Sequence, residues 1–182
     1  IFGGDQLDQR WYNEQLLPYG LLPARLGAVA DKRNDPEPFT RMVVQRFDHP
    51  ALKVFSNPRN GDLASAEVRQ WHRTVEDPDN ELVRPLARLE TGDAFLIEKI
   101  YGNGRVLFCA TACDDAWSSL PLRPFFVPFS QRLCTYLASS VMPPRKLGVN
   151  EKAVARFPAE QAGQEVVVTD TENEQHTLPI EL

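Results

Sequence analysis

Apolar runs and turn residues follow one another between residues 86 and 111, and this pattern predicts an antiparallel series of strands. Three apolar runs, at residues 86–89, 95–101 and 105–111, are separated by the turn sequences TGD and GNG. Asn-Gly between two apolar runs is a strong hairpin signal, because both residues tolerate a positive φ. The last run, RVLFCAT, is apolar on both faces, which is typical of a central strand that is covered on both sides.

After Pro124 the apolar positions recur every three or four residues, which predicts a helix with one face toward the core. These positions are Phe126, Phe129, Leu133, Tyr136 and Leu137. Pro128 is compatible with this helix only in its first turn, where the missing N–H has no partner to lose. Residues 94–141 therefore predict strand, turn, buried strand, loop and amphipathic helix in succession.

Weaker patterns predict further elements on the amino-terminal side. Residues 9–17 predict a helix that Asp5 or Asp8 caps and that ends near Pro18. Residues 21–38 contain three prolines and a polar cluster, which predicts an exposed connection. Residues 41–47 predict a strand, and residues 50–55 a short helix. Residues 64–75 fit helix and strand spacing alike, and their β-branched and aromatic side chains favour a strand.

The pattern changes at residues 143–144, where two prolines precede a series of short apolar runs. Strands are predicted at residues 152–157, 165–169 and 175–180. The sequence therefore predicts an α/β domain over residues 1–142 and a small β-rich segment over residues 143–182. Because a segment this short cannot bury a secure core, it either docks on the first domain or begins a β-sandwich.

Composition narrows the class of protein. An apolar content of 42% and a charged content of 25% are ordinary for a globular chain, and 15 prolines predict stiff loops. A formal charge of −5 argues against a nucleic-acid partner, because phosphate binding needs a concentrated basic surface. No apolar run has the roughly 20 residues of a membrane span. The opening residues resemble the end of a buried strand, so we expect the chain to start inside a domain.

The first candidate for chemistry is the turn Gly3-Gly4-Asp5, which follows this opening strand. Its position resembles a nucleophile elbow, where flanking glycines allow a strained side chain to project above a sheet. Here the projecting residue is Gly4 or Asp5, and neither has a thiol or a hydroxyl. A carboxylate can act as a nucleophile, but capping of the following helix is the stronger expectation for Asp5.

The second candidate is the loop that contains Cys113, Asp114 and Asp115. It follows the predicted central strand, at the edge where open α/β sheets bind ligands. The two carboxylates could hold a cation, although two neighbours supply few oxygens. The stronger expectation is a turn that Asp114 or Asp115 closes, with Trp117 attaching the loop to the helix.

Catalysis by these residues would need a general base, and the chain has three histidines: His49, His72 and His176. All are distant from Cys113 in sequence, so an enzyme requires one of them to reach Cys113 or Asp5 through space, inside a pocket. The three cysteines lack the CxxC spacing of a metal or redox site, and we expect free thiols.

Three short motifs resemble those of one family: GNGRV at residues 102–106, DDAWS at residues 114–118 and FVP at residues 126–128. With the opening residues, they make residues 1–142 similar to the glutamine-amidotransferase-like domain of large bacterial membrane proteins of the aerotolerance (BatA-like) and von Willebrand factor A group. The resemblance implies a flavodoxin-like, layered α/β fold with a parallel sheet and an antiparallel extension. It also implies a parent with transmembrane helices outside this chain, and a place for this domain on the outer side of the inner membrane.

Active class I amidotransferases use a cysteine at the elbow and a later H-x-E pair. This chain has Gly3-Gly4-Asp5 at the first place, and residues 111–113 supply no H-x-E. We therefore expect a catalytically degenerate domain without a cofactor, which serves in scaffolding or in recognition of a ligand or an envelope protein. The alternative is a hydrolase or amidase that uses Asp5, Cys113 and Asp114, and an Asp114–Asp115 cation site is a third possibility.

Overall fold

The computed structural model describes residues 1–102, 104–139, 155, 163–170 and 172–180. The chain forms two compact units, Ile1–Ser140 and Val141–Leu182. Within the described ranges, no helix has the length and apolar character needed to cross a membrane.

The first unit is built mainly from strands, and its larger sheet is antiparallel. The strands are β1 (Arg25–Asp31), β2 (Thr40–Val44), β3 (Glu67–Val68), β4 (Gln70–Val75), β5 (Val83–Leu89), β6 (Ala94–Tyr101) and β7 (Gly104–Cys109). Five of them form one sheet in the order β3-β2-β5-β6-β7, and β1 pairs with β4 in a second sheet. Phe2 extends the larger sheet by a parallel bridge to Cys109, the one parallel pairing among the residues described.

This architecture shows that the predicted flavodoxin-like α/β fold class was wrong. Such a fold layers helices over a mainly parallel sheet, whereas this unit has a curled, half-barrel sheet with few helices. The physical reason lies in the connections, because short turns join only antiparallel neighbours and parallel strands need long crossovers. The short connections between Leu89 and Ala94 and between Tyr101 and Gly104 therefore impose antiparallel pairing on β5, β6 and β7.

The hairpin series predicted at residues 86–111 is confirmed, but the predicted central position of its last strand was wrong, because β7 ends the sheet and only the Phe2 bridge lies beyond it. β6 pairs with β7 from Leu96↔Cys109 to Tyr101↔Gly104. Gly102 has φ +53°, a value that glycine adopts without the strain that a side chain would add. Asn103 lies outside the described residues.

The helix predicted after Pro124 is also confirmed, as α2 (Phe126–Ala138). Phe129 and Leu133 are its buried residues, and Pro128 is in the first turn, as expected. Phe129 packs near Phe55, with the ring centroids 6.2 Å apart. Phe55 belongs to a 3₁₀ turn, Lys53–Ser56, where the sequence predicted a short helix.

The helix predicted at residues 9–17 exists in a different form. A single α-helical turn, α1 (Gln9–Trp11), continues as a π-helix over Tyr12–Leu16. Asp8 rather than Asp5 caps it, because the Asp8 carboxylate accepts the Trp11 N–H at 3.0 Å. The Asn13 amide then pairs with both backbone groups of Leu26, donating to its C=O at 2.8 Å and accepting from its N–H at 2.9 Å.

The exposed connection predicted at residues 21–38 was wrong in its middle, which forms β1. This strand pairs with β4, and its register shifts between Leu26 and Val29, where Asn13 satisfies the Leu26 backbone. The strand preference at residues 64–75 is confirmed by β3 and β4, which a 3₁₀ turn precedes at Leu63–Ser65. The strand predicted at residues 41–47 ends earlier, at Val44.

The second unit contains an antiparallel hairpin of β8 (Glu165–Thr169) and β9 (Gln175–Pro179), which confirms two of the predicted strands. Its apolar side chains Val167 and Leu178 are about half exposed. The third predicted strand, at residues 152–157, falls mostly outside the described residues.

Candidate functional site

Residues 1–5 meet the loop after β7 at one corner of the first unit, and the candidate residues of both sequence motifs lie there. The Cys109 N–H donates to the Ile1 C=O at 2.9 Å, and the Gly3 N–H donates to the Cys109 C=O at 2.8 Å. A Cβ at Gly3 would lie 2.8 Å from the Ala110 carbonyl oxygen. Close backbone packing therefore accounts for the glycine at position 3.

Asp5 binds Trp117 at this corner. Its carboxylate accepts the indole N–H of Trp117 at 3.0 Å, and Trp117 is 1% exposed. The indole also packs against His72, with ring centroids 5.3 Å apart and an interplanar angle of 31°. We call Asp5, His72, Asp114 and Trp117 the Trp117 corner. Trp117 attaches the loop to residues 1–5 and β4, partners that the sequence did not indicate.

Asp114 closes the loop, as expected. Its Oδ1 accepts the N–H of Ala116 at 3.1 Å and that of Trp117 at 3.3 Å, which is a local side-chain turn. The backbone carbonyl of neighbouring Asp115 accepts a hydrogen bond from the Arg69 guanidinium. One of the two carboxylates proposed for a cation is thus already used within the loop.

Cys113 is exposed and is not an activated thiol. Partial burial, followed by the negative charge of Asp114, raises its pKa, so the thiol is protonated at neutral pH. Burial raises the pKa of Cys109 to about 12. Both these cysteines and Cys134 are free thiols.

His72 is the histidine that the fold brings to the Trp117 corner. It is 2% exposed, and its Nε2 lies 3.5 Å from the Gly4 carbonyl oxygen. Burial lowers its pKa, against the opposing effects of two backbone carbonyls and the Asp5 charge. In the described part of the chain, no hydrogen bond joins His72 to Asp5 or Cys113.

His176 lies in the β8–β9 hairpin. Its Nε2 is 3.1 Å from the Asp170 carboxylate, and this hydrogen bond is the main reason why the pKa of Asp170 is lowered. With Glu174, the ligand-type atoms of these exposed residues lie within 4.8 Å of one another. The Asp170 carboxylate also accepts the N–H groups of Glu172 and Glu174, so the turn itself accounts for the grouping.

His49 belongs to a second group of polar residues, which the sequence did not predict. Glu98 on β6 is 3% exposed, and three side chains surround its carboxylate. The Tyr136 hydroxyl donates to Oε1, Arg105 Nε lies 3.8 Å from Oε1, and His49 Nε2 lies 3.5 Å from Oε2. The Arg105 guanidinium also lies 4.6 Å from the Tyr136 ring centroid. We call these four residues the Glu98 cluster.

Electrostatics in the Glu98 cluster follow from burial. Burial, and then the hydrogen bond to Glu98, raise the pKa of Tyr136 to about 12. Burial lowers the pKa of His49, although the Glu98 charge opposes this change. Neutral Tyr136 and His49 therefore surround one charged pair, Glu98 and Arg105. The one signal in the sequence was a carboxylate inside the apolar run AFLIEKIY.

Comparison with known proteins supports the fold alone. No family model and no curated protein matches this chain. Among solved structures, it is similar to cytoplasmic protein STM1381 from Salmonella typhimurium LT2, with 15% identity and a TM-score of 0.59 over 75% of this chain and 53% of that one. It is also similar to cytoplasmic protein STM3548 from Salmonella typhimurium, with 14% identity and a TM-score of 0.55 over 69% and 47%. The chain therefore spans about half the length of each neighbour.

Proposed function

We propose that this chain is a non-catalytic module that serves in scaffolding or in recognition of a ligand or protein partner. The hydrogen bond between the Asp5 carboxylate and the Trp117 indole supports this proposal most directly. This hydrogen bond pairs the Asp5 carboxylate with the buried indole N–H of Trp117, a group that can donate a hydrogen bond but cannot act as a base.

The neighbouring residues support the same role. Asp114 accepts two backbone N–H groups, and the Cys113 thiol has a raised pKa. An activated cysteine would instead need a lowered pKa beside a cationic group or a helix N-terminus. The geometry thus favours a structural corner over the alternative hydrolase or amidase.

A matched set of variants tests the absence of catalysis. Purified chain is incubated with glutamine and with chromogenic esters and amides, beside Asp5→Asn, Cys113→Ser and the control Asp115→Asn. We expect no turnover above the rate without protein in any sample. Turnover that Asp5→Asn or Cys113→Ser abolishes, with an unchanged circular dichroism spectrum, would establish an enzyme instead.

The envelope location is a separate part of the proposal and rests on the resemblance of residues 1–142 to the domains of membrane-anchored proteins. Antibodies against the purified chain can follow the parent protein through cell fractionation. We expect the parent in the inner-membrane fraction, released by detergent but not by high salt. Protease treatment of spheroplasts should remove the epitope if the domain faces outward. Recovery in the soluble fraction contradicts this part alone.

A further inference from the structure

His49 closes a turn within the segment at residues 46–56 of the first unit, and its ring meets Glu98 on β6 and Tyr136 on α2. The His49 C=O accepts the N–H groups of Leu52 and Lys53, at 2.9 and 2.8 Å. Its imidazole Nδ1 accepts the Ala51 N–H at 3.3 Å, so the side chain closes the same turn. Leu52 and Phe55, at 0% and 3% exposure, are the apolar residues that this turn places in the core.

The Ala51 hydrogen bond determines which ring nitrogen carries the proton. Because Nδ1 accepts a hydrogen bond, the neutral ring has its proton on Nε2, and Nε2 faces the Glu98 carboxylate. Several charged or titratable groups face the ring from the surrounding elements. They are Glu98 on β6, Arg105 on β7, Tyr136 on α2 and Asp48 in the same segment, while Arg84 on β5 acts on Tyr136.

Protonation of His49 would disrupt this arrangement at a defined atom. The added proton would occupy Nδ1, and two N–H groups, from Nδ1 and Ala51, would then point at each other. The new charge would also be largely buried, near the Arg105 guanidinium, while Glu98 already accepts the Tyr136 hydroxyl. Attraction to Glu98 offsets only part of this cost, because that carboxylate is shared.

We propose that His49 is a proton-operated latch, which holds residues 46–56 against β6 and α2 when neutral and releases them when protonated. The driving force is the difference in proton affinity between the two states. Burial lowers the pKa of closed His49 below its ordinary value of 6.5, so opening the segment takes up a proton. The latch is stable above pH 6.5 and weakens as the pH falls. It does not depend on the proposed function.

Amide hydrogen exchange of the whole chain, read residue by residue by NMR, tests the latch. Protection of the Leu52, Lys53 and Phe55 amides is measured at about pH 7.5 and about pH 5.5 and corrected for intrinsic exchange. We expect protection to fall roughly three- to tenfold at the lower pH, because one proton is taken up on opening. The amides of the turn between β5 and β6, at Leu89 and Gly92, provide an internal reference, because that turn contains no histidine.

Two variants make the test specific. His49→Asn places an amide oxygen where Nδ1 stands and cannot be protonated, so its protection should not change with pH. His176→Gln removes an exposed histidine and should behave as the unmodified chain does. In the unmodified chain, the His49 ring signals and the Ala51 amide shift should titrate together. Constant protection in the unmodified chain, an equal fall in His49→Asn, or an Ala51 amide that ignores His49 titration would each overturn the proposal.

Discussion

The Trp117 corner and the Glu98 cluster both contain carboxylates, but these carboxylates have different kinds of partner. In the Trp117 corner, Asp5 and Asp114 bind an indole and backbone N–H groups, and each satisfies a neutral donor. In the Glu98 cluster, one buried carboxylate accepts the Tyr136 hydroxyl and lies 3.5 Å from His49 Nε2 and 3.8 Å from Arg105 Nε. The comparison teaches that the motif richest in reactive residue types forms a structural turn, whereas the polar side chains of the Glu98 cluster come from four separate elements.

The largest difference should appear when each region loses its central carboxylate. Glu98→Ala leaves the Arg105 and Tyr136 side chains without their shared acceptor, and we expect a loss of about 3 kcal/mol in the free energy of unfolding. Urea denaturation measures this loss. Glu81→Ala, at an exposed position, is the control and should change little. A similar loss in both variants would show that Glu98 has no special place in the fold.

Acid should weaken both regions, because His72 is buried, His49 is largely buried, and the pKa of each is lowered. Such a histidine binds protons more readily in the unfolded chain, so stability is retained above pH 6.5 and lost as the pH falls below it. Each histidine contributes a slope of at most about 1.4 kcal/mol per pH unit. The free energy of unfolding, measured between about pH 7.5 and about pH 5, should depend less steeply on pH in His49→Asn and in His72→Asn. An unchanged slope in either variant excludes that histidine as a source.

Removal of the indole donor should have a smaller effect. Trp117→Phe keeps a ring against His72 but leaves the Asp5 carboxylate without its N–H partner, and we expect a loss of about 1 kcal/mol. Thermal unfolding monitored by circular dichroism measures the change. Trp11→Phe, at a half-exposed position, is the matched control. If the two variants unfold at the same temperature, the Asp5–Trp117 bond contributes no stability.

The smallest effect should come from the loop turn. Asp114→Ala removes an acceptor for two backbone N–H groups at an exposed position, so we expect a loss of about 0.5 to 1 kcal/mol. Asp115→Ala should be neutral, because its backbone carbonyl binds Arg69 and that contact survives the substitution. Denaturant titration of the pair distinguishes them. The reverse order would assign the turn to Asp115.

The sequence predicted the elements whose signals are local. The GNG turn, the run RVLFCAT and the three- and four-residue spacing after Pro124 each predict an element within about 15 residues, and β6, β7 and α2 follow from them. The sequence did not predict β1, because its partner strand β4 lies far along the chain. The nearby prolines instead favour a loop. The layered α/β fold came from the resemblance, and the hairpin turns contradicted it.

In the candidate site, too, the sequence predicted the local contacts and missed the contacts between residues that are distant in the chain. Closure of the loop by Asp114 is a contact over two and three residues, which turn chemistry predicts. Arg105 reaches Glu98 across the hairpin of β6 and β7, which the sequence does predict. The Asp5–Trp117 bond and the contacts of Glu98 with His49 and Tyr136 instead join residues 112, 49 and 38 positions apart in the chain. No local pattern contains such pairs, and a lone carboxylate in an apolar strand is the most that a sequence can show.

The Asn13 amide gives the first helix an unusual dependence on the rest of the chain. One α-helical turn and five π-helical residues are too short to persist alone in water, since helix nucleation is costly. The Asn13 side-chain amide makes the two hydrogen bonds to Leu26 that a backbone peptide group of a neighbouring strand would make. Through this pairing the helix extends the edge of the smaller sheet at one residue. Folding of the helix therefore depends on β1, and a carboxylate at position 13, which cannot donate, would leave the Gln9 amide, at 3.0 Å, as the remaining side-chain donor to the Leu26 C=O.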